Sequence, residues 1–152
     1  MHIATSSDNI DISSEKKTEE IARKIQKKIK VGDVIFLYGE MGVGKTTFIK
    51  YLINHFEKNS NIKLSEVMSP TFNLLNEYKI KDIQINHYDL YRLKEKRDLE
   101  NLNLFGDSDK LITLIEWPQI IDKKPTNLIE FLFKYSDDYK KRFLQIKGLS
   151  VN

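Results

Sequence analysis

Nine residues, GEMGVGKTT from Gly39 to Thr47, hold three glycines and a lysine between an apolar run and an amphipathic one. Gly39, Gly44, Lys45 and Thr46 fill the pattern G-x-x-x-x-G-K-[ST], with Gly42, Val43 and Thr47 completing the stretch. Such a pattern suits a bound anion. Glycines permit positive φ, so successive N–H groups can turn toward one charged group, and a following helix adds partial positive charge at its N-terminus. In that arrangement Lys45 reaches the β and γ phosphates of a nucleotide and the Thr46 hydroxyl ligates Mg²⁺. Hydrogen bonds to charged groups are worth roughly 1.5–3 kcal/mol each, so several of them support micromolar affinity with little recognition of the base. The competing reading is a tight glycine turn beside a surface lysine. At typical glycine frequencies of about 7%, a chance match in a chain of this length is on the order of one per cent.

A phosphate cradle hydrolyses nothing by itself; the metal needs carboxylate support and some group must answer to the γ-phosphate. Three later stretches offer candidates. LITLIEWP puts Glu116 directly after an apolar run, and NHYDLYRL puts Asp89 at the end of a β-prone one. Both would then lie at the carboxyl edge of a sheet, where ligands of open α/β folds sit. MSPTF places Thr71 after Pro70, in a loop where a hydroxyl could sense the γ-phosphate. Each has an ordinary alternative: solvated loop acid for Asp89, strand-end surface acid for Glu116, turn residue for Thr71. His87 reads as a half-buried strand residue, and Trp117 as a core or edge aromatic.

The elements around these residues follow from periodicity. In SSEKKTEEIARKIQKKI, Ile21, Ala22, Ile25 and Ile29 share one helical stripe, with Ser13 or Ser14 as N-cap, Glu15 in the first turn and Gly32 as the stop. VIFLY (34–38) is apolar without alternation, as a strand covered on both faces is. Phe48, Ile49, Leu52, Ile53 and Phe56 fall on one face of a helix over 45–57. NLLNEYKI and IQINHYDLY predict a hairpin around Lys81 and Asp82, with a short helix carrying Leu93, Leu99 and Leu102 after it. LITLI (111–115) is another buried strand, and LIEFLFKY with RFLQIKGL forms a closing hairpin around SDDYKK. The expected assembly is one α/β domain over 1–152, its parallel central sheet extended by antiparallel hairpins and covered by helices on both faces.

Composition excludes several functions. There is no cysteine, hence no disulfide, thiolate metal site or cysteine nucleophile. The net charge of +3 spreads over every segment and does not argue for general nucleic-acid affinity. No window approaches eighteen apolar residues and the N-terminus lacks a leader-like apolar core, so a cytoplasmic address without membrane association is expected.

GEMGVGKTTF, SPTFNLLNEY, HYDLYRL and LIEWP occur in the order, and at about the intervals, seen in the bacterial TsaE family. The chain resembles this family, the small ATPase of tRNA threonylcarbamoyladenosine biosynthesis, from about Ser14 to the last hairpin. The resemblance implies a P-loop NTPase-like fold that binds ATP and Mg²⁺, with Gly42, Val43, Gly44, Lys45, Thr46 and Thr47 around the phosphates. It implies Thr46, Asp89 and Glu116 at the metal, the two acids also facing the γ-phosphate, and Thr71 in a switch-like loop. Glu15, and Lys140 or Arg142 in the last hairpin, are expected to approach the nucleotide. The family works with TsaB and TsaD, the latter transferring the threonylcarbamoyl group to tRNA, so contact with tRNA is expected to be indirect. The chain departs from the family's usual pattern at IKYL after the P-loop and at ENLNLF after DLYRL, both outside the expected metal site.

Weak ATP turnover by the isolated protein, raised on assembly, is the expectation, because positioning and electrostatics dominate phosphoryl transfer. Arg92 and Arg97 are the arginines of the middle of the chain, and Arg92 reads equally well as a helix-start surface residue. Rival readings are a small P-loop kinase acting on a small-molecule or nucleotide acceptor, and a nucleotide-gated binding module. The chain shows no obvious arginine-rich lid of the kind kinases close over phosphates.

Overall fold

The computed structural model describes residues 8–70 and 72–149. Its strands are β1 (Ile10–Asp11), β2 (Val34–Tyr38), β3 (Leu75–Ile80), β4 (Ile83–Asp89), β5 (Ile112–Glu116), β6 (Leu128–Tyr135) and β7 (Arg142–Lys147). The α-helices are α1 (Glu15–Gln26), α2 (Lys45–Asn59) and α3 (Arg97–Glu100). The strands form one sheet in the order β1-β7-β6-β2-β5-β4-β3. Its centre, β6-β2-β5-β4, is parallel, and the edges are antiparallel: β3 on β4, β7 on β6 and β1 on β7. This is the expected α/β P-loop-like architecture. The two-residue β1 was not anticipated, because so short a run carries no periodicity of its own.

Local chemistry explains the ends of α1 and the start of α2. The Ser14 hydroxyl accepts the Lys17 N–H at 3.2 Å, Glu15 complements the dipole at the start of α1, and Arg23 and Lys24 do so at its end. The helix stops at Gln26, before the expected Gly32, which instead takes φ +100° in the turn that feeds β2. α2 begins at Gly44, in a left-handed conformation with φ +115° that a glycine adopts without steric cost.

The alternation of side chains along each strand sorts the core onto two faces. Ile35 and Leu37 of β2, Ile85 of β4, Ile112 and Leu114 of β5, and Phe131 and Phe133 of β6 pack with α1 and α2. Phe48 of α2 meets the Phe131 and Phe133 rings edge-on at 5.3 and 5.8 Å, and burying each such ring is worth about 1.5–3 kcal/mol. Val34, Phe36, Tyr88 and Ile115 point the other way and are covered by Leu99, Leu102, Leu104 and Phe105 around α3, and by Ile120 and Ile121. α3 is only four residues long, so turns rather than helix cover most of that face.

On β5, Glu116 follows Ile112 and Leu114 on the α2 side. His87 and Asp89 continue the Ile83–Ile85 series of β4 on the same side. The parallel register sets Asp89 opposite Glu116. Three ionisable side chains from two adjacent strands are thereby aimed at the head of α2.

Candidate functional site

The loop between β2 and α2 takes positive φ at each of its glycines: +155° at Gly39, +80° at Gly42 and +115° at Gly44. A Cβ on Gly39 would stand 2.9 Å from Phe133 Cβ and 3.0 Å from its carbonyl oxygen, so glycine is required there by contact with β6. Val43 is fully buried and anchors the loop in the core, while Gly42 is exposed and its carbonyl accepts the Tyr135 hydroxyl at 2.9 Å. The cradle is therefore pinned on one side and open on the other.

A cavity of about 220 Å³ opens there, lined by Met41, Gly42, Gly44, Lys45, Thr46, Thr47, Ser69, Asp89, Glu116, Trp117 and Arg142. A wider groove of about 690 Å³ runs between Leu99–Gly106 and Ile120–Lys123 on the opposite face of the sheet. The smaller cavity is the chemical one, because the glycine loop, a helix N-terminus, a lysine and two carboxylates converge on it.

Lys45 is almost fully buried; its ammonium donates to the Gly39 carbonyl and lies 3.7 Å from the centre of the Trp117 ring. Burial pushes its pKa down from 10.5, and the nearby Glu116 and Asp89 carboxylates pull it part of the way back. The Thr46 hydroxyl sits 3.1 Å from both carboxylate oxygens of Glu116. Glu116 is 2% exposed, and its Oε2 is 2.7 Å from His87 Nε2. Asp89 accepts the Ser69 hydroxyl at 2.7 Å and the Tyr91 N–H at 3.0 Å, which ties the segment before β3 to the end of β4.

Gly42 through Thr47, Asp89 and Glu116 are thus brought together, all but buried Val43 lining one cavity. Thr71 lies outside the described residues. Glu15 and Lys140 do not line the cavity. Glu15 is exposed at the start of α1, beside the Tyr51 hydroxyl, whose pKa is raised by burial and then by Glu15 and Glu19. Lys140 is exposed in the β6–β7 turn, its N–H bonded to Asp138. Arg142 is the cation of that hairpin that does reach the cavity, with its guanidinium 3.3 Å from the Ser13 carbonyl oxygen.

Three residues take a different place from the one expected, or one that was not expected at all. His87 is fully buried rather than half-buried, since its ring nitrogen reaches a carboxylate across the strand pair. Trp117 adopts φ +58° right after β5, which turns its ring over Lys45 and within 4.8 Å of the Tyr91 ring. Ser69 holds Asp89. The spacing of His87 and Asp89, two residues apart on a strand, was a legible signal that both share one face; nothing local pointed to Ser69.

The model of the family described as Threonylcarbamoyl adenosine biosynthesis protein TsaE matches residues 12–143. Curated tRNA threonylcarbamoyladenosine biosynthesis proteins TsaE are similar along most of their length. The protein from Rickettsia typhi is 39% identical over 138 residues, covering 90% of this chain and 92% of its own. The one from Nostoc sp. is 31% identical, covering 85% and 79% respectively. Among solved structures, Bacillus subtilis YdiB superposes with a TM-score of 0.70 at 24% identity, over 95% of this chain and 85% of that one, a likeness of fold.

Proposed function

The chain belongs to the TsaE family of tRNA threonylcarbamoyladenosine biosynthesis proteins, and from that premise we propose that it binds ATP with Mg²⁺ and hydrolyses it in support of the modification cycle. The observation that carries this reading is the convergence of the Gly39–Thr46 cradle at the head of α2 with Glu116 and Asp89 at the ends of two neighbouring parallel strands. In open α/β sheets that crevice beyond the strand ends is where ligands bind.

The residues fit the metal. Mg²⁺ keeps several waters and is held by one or two carboxylates together with substrate phosphates, so it needs no dedicated cage of acids. Thr46, Glu116, whose oxygens lie 3.1 Å from the Thr46 hydroxyl, and Asp89, all on the same cavity, would supply that donor set. When bound, the ion balances charge on the phosphate oxygens. The backbone amides of residues 42–47 orient the phosphates, and Lys45 contributes its positive charge. Trp117 walls one side of the cavity and helps to keep water from Lys45.

On this reading the isolated protein turns ATP over slowly, because the one arginine lining the cavity among the described residues, Arg142, has its guanidinium engaged by the Ser13 carbonyl oxygen. A missing positive group at the transition state costs about 10³–10⁵ in rate. Partners of the TsaB and TsaD type complete the site, tRNA is met only through that assembly, and the setting is cytoplasmic. Among the described residues no helix is long and apolar enough to cross a membrane.

The test measures phosphate release by the chain alone and with both partners. Slow turnover that rises on mixing, with Asp89→Ala and Glu116→Ala retaining much of the binding but losing turnover, is the expected result. Fast turnover unchanged by partners, or phosphate delivered to a small acceptor instead of water, would overturn the proposal.

A further inference from the structure

We propose that His87 is a positioning residue, whose ring N–H holds Glu116 in the orientation that the metal-binding set requires; this rests on the nucleotide and Mg²⁺ reading given above. An imidazole at 0% exposure is costly unless hydrogen-bonded, and the bond His87 makes is to Glu116 Oε2, at 2.7 Å. Its other nitrogen, Nδ1, is buried without a hydrogen-bond partner among the described residues. A residue selected for packing beside Ile85 and Leu114 would be apolar. The histidine leaves Nδ1 without a partner among the described residues and in return supplies one directed polar contact to Glu116.

The geometry gives that donor a defined effect. A carboxylate oxygen accepts, so in the Nε2–H tautomer the His87 ring is the donor of this bond. Glu116 has three side-chain torsions, and among the described residues its oxygens meet two side-chain donors, the Thr46 hydroxyl and the His87 ring. Thr46 is itself a metal-binding candidate; its oxygen can ligate a cation through a lone pair while its single O–H, equidistant from Oε1 and Oε2, does not select which Glu116 oxygen faces the cavity. His87 stands on β4, two register positions before the Asp89–Glu116 pair and on the same face of the sheet, and its ring is rigid and wholly enclosed. It therefore holds Oε2 in place and leaves Oε1, the oxygen His87 does not touch, to serve the metal-binding set with Thr46. The arrangement is the carboxylate counterpart of the partners that orient metal ligands, whose loss generally weakens metal affinity by about 10- to 100-fold.

The test compares the wild type, His87→Leu, His87→Gln and Glu116→Ala by calorimetric titration with a non-hydrolysable ATP analogue, once with Mg²⁺ and once with a chelator. Thermal melting of each protein is recorded alongside. The readout is the ratio of the two affinities, which a merely structural role would not move. His87→Leu is expected to lose about tenfold or more of the Mg²⁺ enhancement with its chelator-state affinity retained. His87→Gln, whose amide can reach Glu116 from the same position, should keep most of it, and Glu116→Ala should lose it while retaining the binding seen with the chelator. Equal enhancement in His87→Leu and wild type would overturn the inference. So would equal losses with and without Mg²⁺ that track a fall in melting temperature and are not relieved in His87→Gln. A wild type that binds the analogue with no Mg²⁺ enhancement would sink the underlying metal reading itself, a result distinct from either.

Discussion

Replacing Lys45 with methionine removes an ammonium while keeping most of the side chain's bulk, and the structure allows its effect to be worked out. The ammonium has three donors; one is used on the Gly39 carbonyl and its charge also rests on the Trp117 ring. A charge-assisted hydrogen bond to phosphate contributes about 1.5–3 kcal/mol, whereas a partly desolvated cation–π contact contributes about 0.5–2 kcal/mol. If the lysine keeps its ring contact while a free N–H turns to the phosphate, the variant loses the full amount, about 10- to 150-fold in affinity. If it must leave the ring, the two terms partly cancel and the net loss falls to about 1 kcal/mol, roughly fivefold. The two cases differ in a second observable. Trp117 is the sole tryptophan of the chain, so its emission reports directly on the charge lying over it. Titration of ATP with Mg²⁺ into wild type should change that emission if the ammonium withdraws, and Lys45→Met should start from an already altered spectrum and change little. Calorimetry of the same samples supplies the affinities. Lys45→Met that melts like wild type and binds ATP within about threefold of it would refute the cradle, since no phosphate could then be using the buried ammonium.

Two further predictions concern stability. Glu57, 3% exposed near the end of α2, accepts from the Asn54 amide, the Ser65 N–H and the Ser65 hydroxyl, and so fastens the segment that leads to Ser69. Glu57→Ala should cost about 2–3 kcal/mol, or roughly 4–12 °C in melting temperature for a domain of this size, and a change under 2 °C would contradict that role. His55, mostly buried between α1 and α2, has its pKa pushed below 6.5 by burial, with Glu19 opposing and Lys58 and Arg23 reinforcing the shift. The unfolded chain therefore takes up a proton first as pH falls, so stability should decline below about pH 6.5 and level off once the folded form is protonated as well. Denaturant melts of wild type and His55→Gln between pH 5 and 8 should show the variant with the shallower acid slope.

The sequence by itself determined most of what is local. The apolar run of β2, the stripe on α2 and the glycine spacing between them established a strand, a glycine loop and a helix start, because these depend on residues within a few positions of each other. The two antiparallel hairpins were legible for the same reason, and so were a serine cap at Ser13 or Ser14, which the structure decides for Ser14, and Asp89 and Glu116 as strand-end acids. Gly32, in contrast, was read as a helix stop although α1 ends at Gln26, since a glycine marks a turn without saying how much of the preceding turn is helical. Only the tertiary structure decided which side chains meet. His87 and Glu116 are 29 residues apart, Thr46 and Glu116 are 70, and Tyr135 and Gly42 are 93. Their contacts depend on the order β6-β2-β5-β4, which strand periodicity does not encode. The same order brings Arg142 rather than Lys140 to the cavity and leaves Glu15 at its own helix end. Trp117 reaches Lys45 because the backbone reverses into positive φ at the last residue before Pro118, a conformation that an aromatic takes up only when the surrounding packing imposes it.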